Sequence, residues 1–116
     1  MTPTEFRRIA LSFADADEGQ HMGHPDFRVG GKIFATLGYP DRRYGTIMLS
    51  PHDQELLIHD HPKAFKPAPG AWGRSGSTSV LLSIASRRAV TIALEAAWER
   101  RARASRLSVR HDRSPR

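Results

Sequence analysis

Behind Thr2-Pro3-Thr4-Glu5, apolar residues recur at Phe6, Ile9, Ala10 and Phe13. That spacing puts them on one face of a helix, and the Thr-Pro-Thr-Glu start is a capping box with proline at the first helical position. Asp15, Asp17, Glu18 and Gly19 then predict that the helix ends in a polar loop. The period next shortens to two. His24 to Val29 and Lys32 to Leu37 flank Gly30-Gly31, a pair suited to the positive φ of a tight hairpin turn.

The loop length fixes which side chains share a face. A two-residue loop sets Val29 opposite Lys32 and Phe27 opposite Phe34, so Phe27, Val29 and Phe34 group together. Ile33, Ala35 and Leu37 then lie on the other face beside Arg28. A three-residue loop would group Phe27 and Val29 with Ile33 instead. Either register leaves apolar groups on both faces, which predicts that the second face is covered or used.

Gly45 to Leu49 reads as a third strand. Ser50-Pro51 with Asp53 starts a second helix that runs to about His61, where Pro62 stops it, with Leu56 and Leu57 as its core contacts. Ala64-Phe65 reads as a short edge strand, and residues 67–76, rich in proline and glycine, as a loop. Thr78 to Ile84 forms another strand, with Val80, Leu82 and Ile84 on one face. Ser86 caps a last helix striped by Val90, Ala93, Leu94, Ala97 and Trp98. The order is helix, three strands, helix, one or two strands, helix. Short connections between successive strands imply an α+β, two-layer sandwich: an antiparallel sheet of about five strands with helices packed on it.

Composition changes the picture at two points. The 116 residues include no cysteine, which excludes disulfides, thiol chemistry and cysteine-ligated metals. The net charge of +6 resembles a nucleic-acid signature, but its distribution is uneven. Residues 99–116 hold seven arginines against two acids, a net +5, whereas residues 1–98 carry only +1. Arg100, Arg101 and Arg103 fall in the last turns of a helix, where cations complement the dipole. Residues 105–116 read as an arginine-rich, disordered tail following a domain over 1–104. No apolar run is long enough for a membrane span or a signal peptide, so the expected location is cytoplasmic, without membrane contact.

Candidate chemistry is sparse. His21 and His24 form an H-x-x-H pair and His59-Asp60-His61 a second cluster, but three residues along one extended segment would point the two rings to opposite faces. No metal site or other cofactor is expected. No serine sits in a nucleophile elbow, no P-loop is present and no carboxylate pair is set for acid–base work. The sequence therefore reads as non-enzymatic.

Two stretches carry a resemblance: Gly23-His24-Pro25-Asp26-Phe27-Arg28-Val29-Gly30-Gly31-Lys32-Ile33-Phe34-Ala35, and His61-Pro62-Lys63-Ala64-Phe65-Lys66-Pro67-Ala68-Pro69-Gly70-Ala71-Trp72-Gly73-Arg74. With the opening helix and the closing Ala-Ala-Trp, the chain resembles the MmcQ/YjbR family of small bacterial proteins over about residues 2–104. The resemblance implies a fold similar to secretion chaperones and frataxin-like proteins, described as a double-wing DNA-binding module. It supplies no catalytic residues. Lys63 stands where such sequences often carry an acid.

On that implication the partner is DNA. The candidate contacts are Arg28 and Lys32 on the hairpin, Lys63, Lys66, Trp72 and Arg74 around the loop, and Arg100, Arg101 and Arg103 near the C-terminus. Trp72 has two readings, a hydrophobic lid folded on the sheet edge or an exposed platform for base stacking. The lid is the expectation. The alternative function is a protein-interaction or chaperone-like module, possible as a homodimer, that uses the second sheet face.

Overall fold

The computed structural model describes residues 1–112, and the side chains of residues 1–106. Helix α1 (Pro3–Leu11) begins at Thr2, whose hydroxyl accepts from the Glu5 amide in a complete capping box. Six strands follow in one antiparallel sheet: β1 (Ala16–His21), β2 (His24–Val29), β3 (Lys32–Leu37), β4 (Tyr44–Met48), β5 (Phe65–Pro67) and β6 (Ser77–Leu81). Their spatial order is β1-β2-β3-β4-β6-β5. Helix α2 (Pro51–Asp60) connects β4 to β5, the single-turn α3 (Ala71–Arg74) connects β5 to β6, and α4 (Arg87–Asp112) closes the chain.

One strand is absent from the sequence reading. Residues 16–21, expected as a loop, form β1, which pairs with β2 along its length from Ala16↔Val29 to His21↔His24. Only one apolar residue, Ala16, interrupts its polar run, because β1 lies at the sheet edge and has no core to fill. A two-residue turn through Met22 and Gly23, both at positive φ, joins it to β2.

The second hairpin turns at Gly30-Gly31 as expected, with Val29 opposite Lys32. A bulge then intervenes: Arg28 pairs with Ile33, but Phe27 pairs with Ala35, not Phe34. The extra residue in β3 flips the alternation. Ala35 and Leu37 therefore share the core face with Phe27 and Val29, and all of them, with Phe34, belong to one buried cluster. Ile33 alone keeps the expected place beside Arg28.

That cluster lies under α1 and α4. Phe6 of α1 meets Phe27 with ring centroids 6.1 Å apart, and its ring rests on the backbone of Gly45, where a Cβ would come within 3.0 Å of it. Phe13 stacks on Trp98 of α4, whose indole N–H donates to the Ala14 carbonyl at 2.9 Å. Val90, Ala93, Leu94 and Ala97 complete the buried stripe. Helix α4 runs on past residue 104, and the side chains of Arg110, Arg113 and Arg116 lie outside the described residues.

Three smaller readings need correction. Leu56 is 52% exposed, and the buried side chain of α2 is Gln54. Ile84 is 54% exposed, because β6 ends at Leu81 and the chain has already turned. Residues 71–74, expected as irregular loop, form α3.

Candidate functional site

The face of the sheet away from α1 and α4 carries a central polar row, with Tyr44, Met48 and Leu81 beside it. Reading across the paired residues, Asp26, Thr36, Thr46 and Ser79 form a row, and all four are buried. The loop between β3 and β4 covers part of it: the Thr46 hydroxyl donates to the Tyr39 carbonyl at 3.2 Å, and the Tyr39–Pro40 peptide is cis. At the β5–β6 end, α3 is held down by Gln54, whose Nε2 donates to the carbonyls of Gly73 and Ser77 at 2.9 Å each.

Between these covers lies a pocket of about 500 Å³. Its floor is Thr36, one wall is His21, Met22 and His24, and the other is Tyr39 with Pro69, Ala71 and Trp72. Tyr39 sits between two rings, 6.4 Å from His24 and 6.0 Å from Trp72 between centroids. Trp72 is 52% exposed and Met22 89% exposed. Trp72 is thus neither the buried lid expected nor a free ring: one side leans on Tyr39 and the rest faces solvent.

His21 and His24 do not diverge. They are cross-strand partners on either side of the Met22-Gly23 turn, so both rings face the same way; the odd-step rule applies within one strand and fails across a hairpin. Asp26, with no exposed surface, accepts from Arg28 Nε at 2.7 Å and Nη2 at 2.9 Å and bonds His21 Nδ1 at 2.9 Å. The Arg28 guanidinium, and then His21, hold the Asp26 carboxyl below its ordinary range against the opposing effect of burial. An ionised carboxylate only accepts, so the proton of that bond sits on Nδ1, and Nε2 of His21, a residue that lines the pocket, takes no part in it.

The nine candidate contacts fall in separate places. Arg28 is committed to Asp26. Lys32 sits at the hairpin tip opposite Val29. Arg100, Arg101 and Arg103 belong to α4, in the other layer; Arg103 donates to Glu99 at 3.0 Å. Burial lowers the pKa of Arg101, with Arg100 adding to the effect, and its Nε has no hydrogen-bond partner among the described residues. Lys63, Lys66, Trp72 and Arg74 are strung along β5 and α3: Lys63 lies near the Leu81 end of β6, Lys66 opposite Ser79, and α3 beyond Pro67. Lys63, Lys66 and Arg74 are exposed and join no ion pair among the described residues. The ammonium of Lys66 lies 4.8 Å over the Tyr44 ring.

Tyr39 and Arg42 were missed in the sequence, since neither belongs to a motif or a periodic run. Arg42 is exposed and in no ion pair among the described residues. Its neighbour Arg43 holds the Asp41 carboxyl down to about 2. Among the described residues no cluster of three His, Asp or Glu side chains could hold a metal ion, and no helix is long and apolar enough to cross a membrane.

A family model described as YjbR matches residues 11–100. No curated protein and no solved structure matches the chain. The matched span contains both stretches on which the resemblance was read, and the fold brings them together: the first supplies His24 to the pocket and the second Pro69, Ala71 and Trp72.

Proposed function

Since the chain belongs to the YjbR family, we propose that it is a non-enzymatic module that binds DNA through the β5–α3 end of its sheet. The observation that carries this reading is a set of exposed cations without ion pairs among the described residues, Lys63, Lys66 and Arg74, spread along β5 and α3, the helix that also carries the half-exposed Trp72 indole. Cations free of acidic partners are the groups that displace counterions from a phosphate backbone, and an exposed ring beside them suits base stacking. In support of a binding role, the Asp26 carboxylate is closed off by Arg28, and none of the residues lining the pocket is an acid.

The alternative, a protein-interaction or chaperone-like module using the second sheet face, has fewer apolar side chains there than the sequence reading gave it. The bulge in β3 moves Ala35 and Leu37 into the core, and leaves Asp26, Thr36, Thr46 and Ser79 on that face.

The reading is tested by titrating labelled DNA at several salt concentrations with the native protein and with a Lys63→Ala/Lys66→Ala/Arg74→Ala variant. Removing a cation that neutralises a phosphate should flatten the log–log salt dependence by about 0.9 for each phosphate freed. No binding by the native protein, or an unchanged slope in the variant, overturns the proposal.

A further inference from the structure

The pocket on the polar sheet face has a shape and chemistry that cations alone do not use. It combines aromatic rings in one wall, Tyr39 and Trp72, with hydrogen-bonding side chains in the opposite wall and floor, His21 and Thr36. The edge is built in place: Asp26, fully buried and clamped by Arg28, fixes the His21 ring through Nδ1 and leaves its Nε2 outside that bond. A flat group with polar atoms on its rim satisfies both halves at once. At about 500 Å³ the volume falls in the range of about 300–1,000 Å³ common for small-molecule sites, so a ring with its sugar fits.

Charge decides what the ring is attached to. Arg74 follows Trp72 by two residues and Arg42 follows Tyr39 by three, both exposed and in no ion pair among the described residues. Each ring of the aromatic wall thus has an exposed cation within three residues of it in sequence, the charge that a phosphate-linked ligand requires. An apolar side chain of a protein partner would bury His21 and Thr36 without partners, a cost of burying unpaired polar groups that a base edge avoids.

We infer that this pocket receives one unstacked nucleobase, and that the DNA bound by the chain is single-stranded. The inference rests on the nucleic-acid reading above but goes beyond it, since cations on a sheet edge serve duplex and single strand alike. In a duplex the bases are stacked and paired, and reaching one requires extruding it. In a single strand one base enters while the flanking phosphates meet Arg42 and Arg74.

The experiment compares three ligands on the full chain by fluorescence anisotropy: a short oligothymidylate, the same strand annealed to its complement, and a strand of the same length with abasic residues. Single-strand binding should exceed both others by about tenfold, the scale of one base–aromatic stack. In a heteronuclear NMR titration the Trp72 indole N–H should shift with the oligothymidylate, while that of Trp98, bonded to the Ala14 carbonyl, stays in place; Trp72→Phe identifies the two. Tyr39→Ala should lower single-strand affinity toward the duplex value. Equal binding of all three ligands with both indole signals unmoved overturns the base pocket and leaves DNA binding standing. No binding of any ligand overturns both. The abasic comparison needs no variant, so it decides the question even if Tyr39→Ala fails to fold.

Discussion

Gln54 Nε2 and the carbonyl oxygen of Gly73 lie 2.9 Å apart, a hydrogen bond from the buried side of α2 to the single turn of α3. A second bond from the same nitrogen reaches Ser77. Helix α3 is too short to hold itself, so this one amide fixes the turn that carries Trp72 and Arg74. Gln54→Leu keeps the bulk and removes both bonds. Both carbonyls keep a backbone partner, Gly73 from the Gly76 amide and Ser77 from the Ala68 amide. The loss is therefore that of the two bonds themselves, about 0.5–1.5 kcal/mol each, and the change should shift the Trp72 indole resonance. Urea denaturation with an unchanged midpoint would mean that the turn is held by other contacts.

Trp72→Ala should be mild. A ring 52% exposed and leaning on Tyr39 contributes roughly one aromatic contact, about 0.5–1.5 kcal/mol, not the ~3–5 kcal/mol of an emptied core site. A thermal melt lowered as far as that of a Phe6→Ala control would show that the indole acts as a lid after all.

The Asp26 carboxyl gives stability a dependence on pH. Its pKa is lowered in the folded chain by Arg28 and His21, so its contribution is full above the unfolded value of about 3.9 and is lost as pH falls through the folded value. Asp26→Asn should therefore destabilise most at neutral pH, with the gap from the native protein closing below about pH 4. Denaturant midpoints across pH measure it; a gap that stays constant into acid would assign the loss to shape and not to charge.

Gly45→Ala tests the packing of α1. The added methyl would sit 3.0 Å from the Phe6 ring and 3.3 Å from the Thr36 carbonyl, and Phe6 is fully buried with nowhere to retreat. Overpacking of this kind costs about 1–3 kcal/mol. Gly31, with open space around its Cβ position, has no such clash, but its φ of +77° makes alanine strained there too. Only the Gly45 variant should be relieved by Phe6→Leu, which a double-mutant cycle would detect.

What the sequence made legible followed from strong local signals. The Thr2 capping box, the Gly30-Gly31 turn and the α4 stripe each have one physical reading, and all three appear in the fold. Strand β1 was hidden because an edge strand needs no apolar alternation, and Ala-Asp-Glu-Gly-Gln-His offers none. The bulge at Phe34 was hidden because three consecutive apolar residues, Ile33 to Ala35, fit either face. The pocket was hidden for a different reason. His21, Tyr39 and Trp72 are far apart in the chain, and what joins them is the polar face of the sheet, which no periodicity reports. His21 and His24 were seen, but weighed as residues of a single strand; the turn at Met22-Gly23 makes them neighbours.

The two ends of the sheet also bear on how the chain behaves in crowded solution. Edge strands offer unpaired amides and carbonyls to any other strand, and are the usual seeds of aggregation. Here β1 carries Asp17 and Glu18, the latter paired with Arg7, and a single apolar residue, so a second strand laid against it would meet charged side chains and no hydrophobic reward. At the far end β5 is only three residues long and finishes in Pro67, which has no amide hydrogen to donate. One border is closed by charge and the other by brevity. Neither border of the six-stranded sheet thus offers a long apolar strand to a neighbour.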